Sequence, residues 1–72
     1  MYKIETKDIG EVGLERNYVC ASVNRGDALS RACEIIKRAL GGKPFEFRHH
    51  KDGVYFVFNG SVVLGTFKLI KA

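Results

Sequence analysis

The chain has 72 residues, 46% of them apolar and 28% charged, with a net charge of +4, which fits one small globular domain spanning residues 1–72. No apolar run approaches the ~20 residues needed to span a bilayer, and a single proline with no polar low-complexity tract argues against disorder. The twelve Lys and Arg are spread from Lys3 to Lys71, so the basic charge speaks of solubility and steering and not of a dedicated polyanion block.

The N-terminal stretch "MYKIETKDIG" has no apolar h-region and does not read as a secretion signal. A cytoplasmic protein is expected, with Cys20 and Cys33 as free thiols. Neither cysteine lies in a CxxC, and two thiols with two histidines make no recognised zinc spacing.

Residues 2–7 alternate, with Tyr2, Ile4 and Thr6 on one face and Lys3, Glu5 and Lys7 on the other, the signature of a half-buried strand. "DIGEVGLE" carries Gly10 and Gly13 and reads as a loop or loose hairpin. Residues 16–23 are rich in β-formers and predict a second strand. Its buried face is open between Val19, Ala21 and Val23 on one side and Tyr18 and Cys20 on the other.

"NRGDALSRACEIIKRALGG" is the clearest helix, with Leu29, Ala32, Cys33, Ile36 and Leu40 in one apolar stripe widened by Ala28, Ile35 and Ala39. Asn24 or Asp27 can cap its start. Asp27 precedes Arg31, and Glu34 precedes Arg38, by four residues, the order that favours exposed ion pairs. Gly41 and Gly42 supply a left-handed stop.

Two hairpin signals, "DG" at 52–53 and "NG" at 59–60, divide the remainder into a three-stranded meander. Read as two-residue turns, they pair Lys51 with Val54, His49 with Phe56, Phe47 with Phe58, and Phe56 with Val63. That register puts all five phenylalanines (45, 47, 56, 58 and 67) on one face under the helix. The opposite face then holds Tyr55, Val57, Val62 and Leu64 as an apolar group, with Arg48, His50 and Lys68 as a basic rim. A contiguous apolar patch on an open sheet face marks contact with a partner.

The adjacent histidines leave opposite faces of a strand and so do not chelate one metal: His49 belongs to the phenylalanine side and His50 to the open side. No Ser, Cys or carboxylate is placed to complete a triad, and Cys33 on the helix stripe reads as an inert thiol. "RGD" at 25–27 opens a helix instead of presenting an adhesion loop, and "GGK" at 41–43 ends a helix where a phosphate loop would precede one.

The fold class expected is α+β, in the order β-β-α-β-β-β, with the helix on one sheet face and strand order open. The function expected is non-enzymatic: protein–protein contact through the open face, as a homodimer or with another protein, without cofactor, metal or membrane. The alternative is a nucleic-acid-binding module using the same mildly basic face, for which Tyr55 is the one aromatic expected there. In size and element order, over its whole length, the chain is similar to small inhibitor proteins of phages and other mobile elements, anti-CRISPR proteins among them. The likeness implies inhibition of a partner protein; no motif carries it and no site residue transfers.

Overall fold

The computed structural model describes residues 1–71. Five strands and one helix follow in the expected order: β1 (Tyr2–Lys7), β2 (Glu15–Cys20), α1 (Arg25–Ala39), β3 (Glu46–Lys51), β4 (Val54–Asn59) and β5 (Val62–Lys71). All strand pairs are antiparallel, in one sheet of order β2-β1-β5-β4-β3. The ten-residue β5 returns past β4 to lie beside β1, so the N-terminal hairpin and the C-terminal meander share one surface.

β1 presents Ile4 and Thr6 to the core, with Tyr2 half-buried, as its alternation predicts. In β2, Tyr18 and Cys20 pack against the core while Val19 points outward and is 64% exposed, which settles the face left open by the sequence. The loop between β1 and β2 folds back so that Ile9 is buried beneath β5. Gly65 makes room for it: a Cβ there would sit 2.5 Å from the Lys7 carbonyl and 2.7 Å from Ile9 Cδ1.

The helix lies on this same face. Asn24 caps it, its Oδ1 accepting from the Gly26 amide at 2.7 Å, and Ser22 adds a bond to Asp27 at 2.9 Å. Ala28, Ala32 and Ile36 form its fully buried line. Two alanines in that line leave little side chain between backbone and sheet, so α1 sits close to β1 and β5. Leu29, Ile35 and Leu40 flank the line and pack against the core. At the other end Gly41, at φ 65°, donates to Arg38 O and Gly42 to Lys37 O, the paired bonds of a glycine-terminated helix. In place of the expected four-residue ion pairs, Asp27 is engaged by Ser22 and Glu34 pairs with Arg31 at 3.2 Å.

Ile4, Ile36, Val57 and Phe67 are the largest fully buried side chains. Each contributes about 1.5–3 kcal/mol through its removal from water. Tyr55 stacks on Phe67 with ring centroids 4.8 Å apart and planes 6° from parallel. Phe47 meets both edge-on at 5.9 Å. Arg25, the first residue of α1, donates to the Tyr55 hydroxyl, which ties the helix start to β4. That bond to the phenol oxygen pushes the Arg25 guanidinium pKa up from its ordinary value.

The meander departs from the predicted register. The turn at Asp52–Gly53 forms as expected, with positive φ at both residues and Lys51 opposite Val54. Immediately beyond it His50 is an extra residue in β3, so His49 faces Tyr55 and Phe47 faces Val57. In the second hairpin the loop is Gly60–Ser61, with Asn59 kept in β4 opposite Val62. Leu64 is then the extra residue, and Val57 faces Gly65. These shifts turn β4 over relative to the prediction. Tyr55 and Val57 lie in the core, 6% and 0% exposed, while Phe56 and Phe58 lie on the uncovered face. The single phenylalanine face is therefore corrected: Phe45, Phe47 and Phe67 stand on the helix side, Phe56 and Phe58 on the other.

Candidate functional site

One helix covers one face of a five-stranded sheet, so the other face is open. Its residues follow from the register. On β2 and β1 they are Glu15, Asn17 and Val19 opposite Lys7, Glu5 and Lys3. On β5 they are Val63, Thr66, Lys68 and Ile70, and on β4 Val54, Phe56 and Phe58. On β3 they are Glu46, Arg48, the bulged His50 and Lys51, which stands opposite Val54.

The face divides into two regions of different chemistry. Over β2 and β1 it is mostly charged and self-paired. Lys7 and Glu15 sit directly opposite, 3.9 Å apart, and Glu5 lies between Asn17 and Lys68. Over β3, β4 and β5 it is aromatic with a cationic margin. Phe56 is 37% exposed and Phe58 half-buried. The His50 ring packs on Phe56 at 4.9 Å, and the Arg48 guanidinium lies 5.7 Å from the centre of the Phe58 ring. Lys68 stands opposite Val54 on the far side of the same region.

The β3 bulge is what assembles this arrangement. A regular ladder alternates one residue per pleat, so it would seat one β3 side chain opposite each outward β4 residue. The inserted His50 gives Phe56 two neighbours, Arg48 directly across and His50 against its ring.

Of the seven residues predicted to make the contact surface, Arg48, His50 and Lys68 stand exposed on the open face. Val62 is 60% exposed at the tip of the β4–β5 hairpin, opposite Asn59 in the helix-side phase, and its neighbour Val63 is the residue that faces Phe58 on the open side. Tyr55 and Val57 are core residues, and Leu64 is half-buried and packs against the core. Their expected place at the centre of the patch is taken by Phe56 and Phe58. Sequence reasoning missed these two because "VYFVFN" is apolar on both faces, which leaves the strand's phase to the turns. The signal that could have found them is Gly65, an isolated glycine inside a strand pattern next to the bulge.

The remaining candidates have local roles. His49 packs on Tyr55 at 5.1 Å on the helix side, so the two histidines do separate across the sheet. Among the described residues no three His, Cys, Asp or Glu side chains converge as a metal site. In "RGD", Arg25 is held by Tyr55 and Asp27 by Ser22, inside a helical turn. Cys33 is half-buried, and burial pushes its thiol pKa up, which holds it in the less reactive protonated form. No helix among the described residues is long and apolar enough to cross a membrane. Comparison with protein-family models, with curated proteins and with solved structures finds no match to this chain.

Proposed function

We propose that the protein is a non-enzymatic binding module, acting by protein–protein contact through the β3–β4–β5 half of its open face and blocking the surface it covers. The observation that supports this most is the outward placement of Phe56 and Phe58, with His50 and Arg48 packed on them and Lys68 opposite the neighbouring Val54. Aromatic and Arg side chains are the types enriched where protein surfaces meet. The matching partner surface carries an apolar centre ringed by carboxylates. A second copy of this chain would bring Arg48 and Lys68 toward like charges, so a different protein fits better than a homodimer.

A photo-reactive phenylalanine at Phe56, with one at Val19 as reference, tests this in extract of the cells that make the protein. Protein adducts from position 56 that vanish in Arg48→Glu support the reading. Equal labelling from both positions, or none, sinks it. Sedimentation equilibrium of the isolated chain separates self-association from a foreign partner.

A second reading has an observation of its own. Two outward phenylalanines beside Arg48, His50 and Lys68 offer stacking platforms in a cationic setting, where Tyr55 alone was expected. Binding of a labelled single-stranded oligonucleotide that weakens steeply with salt and fails in Phe56→Asp favours it. No anisotropy change at low salt excludes it.

A further inference from the structure

The two edges of the sheet are built differently. β3 is charged along its length and broken by the His50 bulge, features that discourage pairing with another strand. β2 carries charge only at Glu15 and Arg16 and has no bulge. It pairs with β1 over six residues without a register shift, and it has no second neighbour. Beside its free edge, between β2 and α1, runs a groove lined by Arg16, Tyr18, Arg31, Glu34, Ile35 and Arg38. Arg31 and Arg38 stand seven residues apart, two turns along one helix face. Glu34 is the one carboxylate in the lining, and it engages Arg31.

We propose that this groove takes an extended acidic peptide segment of a partner protein, which adds to β2 as a sixth strand. The free backbone groups of β2 supply the ladder, the mode in which a strand edge beside a helix binds a peptide. Alternate side chains of the added strand point to the helix side. Carboxylates there meet Arg16, Arg31 and Arg38, their methylene stems lie along Tyr18 and Ile35, and the intervening side chains point to the other face. Three guanidiniums against one carboxylate set the sign of the occupant. This surface lies across the molecule from Phe56, so it does not depend on the open-face reading.

The test uses the full chain and a fluorescent, end-capped peptide of alternating Glu and Val, read by anisotropy. Two control peptides replace Glu by Lys or N-methylate alternate backbone amides. Saturable binding of the Glu–Val peptide is expected, with at least a tenfold loss for either control and for the protein variant Arg31→Glu/Arg38→Glu. Phe56→Asp should bind unchanged. Amide chemical-shift changes should centre on residues 15–20 and 31–38. No saturable binding overturns the proposal, as does equal binding of the N-methylated peptide, which removes strand addition. Doubling of mass without peptide that is lost in Arg16→Glu also overturns it, by making a second copy the occupant.

Discussion

β1 and β4 are both six-residue inner strands, flanked on both sides in one sheet, yet they put opposite chemistry on the same open face. β1 buries Ile4 and Thr6 and turns out Lys3, Glu5 and Lys7. β4 buries Tyr55 and Val57 and turns out Val54, Phe56 and Phe58. Water can solvate the first surface fully. The second leaves aromatic area uncovered except by the His50 ring and the Arg48 guanidinium. A strand's polar alternation thus both fixes its phase and finishes its surface. A strand without it must take its phase from neighbours and is left with a face fit for contact.

Substitutions at β4 test this contrast most sharply. Val57→Asp places a carboxylate in the fully buried core and should cost about 4 kcal/mol or more, enough to unfold a domain of this size. Urea denaturation reads it directly. A folded Val57→Asp protein would mean that β4 has the opposite phase. Gly65→Ala asks whether the bulged crossing beside β4 is as tight as it looks. Its Cβ would press on the Lys7 carbonyl and Ile9, at a cost of about 1–3 kcal/mol, seen as a lowered urea midpoint. An unchanged midpoint would mean that Ile9 does not pack there.

Phe56→Asp sits one residue from Val57 but faces outward, and should change stability by less than about 1 kcal/mol while abolishing contact through the open face. Melting and photo-adduct formation measured side by side separate the two effects. The smallest change belongs to the β1 half. Lys7→Ala removes an exposed ion pair at 3.9 Å and should shift stability by about 0.5 kcal/mol or less, fading further in added salt. A larger loss would show that the charged half is more than solvated surface.

The same contrast explains what could be read from the residues alone. β1, the helix and its caps were legible because each carries a local code: strict alternation, a 3.6-residue stripe, Asn24 before it and Gly41 after it. Element order followed from those codes and from two turn dipeptides. The open face was legible only at its margin. Arg48, His50 and Lys68 lie on strands with polar positions to mark the outward face, and they were placed correctly. Its centre was assigned to Tyr55, Val57, Val62 and Leu64, because bulges depend on tertiary fit that no turn dipeptide encodes. Val57 stands opposite Gly65, the position where a missing Cβ leaves room for Ile9.

The inserted residue in β3 also bears on how the gene can change length. An in-frame loss of a codon inside β4 would turn every later side chain of that strand to the other side. Loss of the His50 codon would instead leave Lys51 opposite Val54 and His49 opposite Tyr55, as they already stand. The hairpin can therefore shorten at this one point and keep its core, giving up only the ring that rests on Phe56. Descendants that vary in length there would differ in the open face they present and not in how they fold.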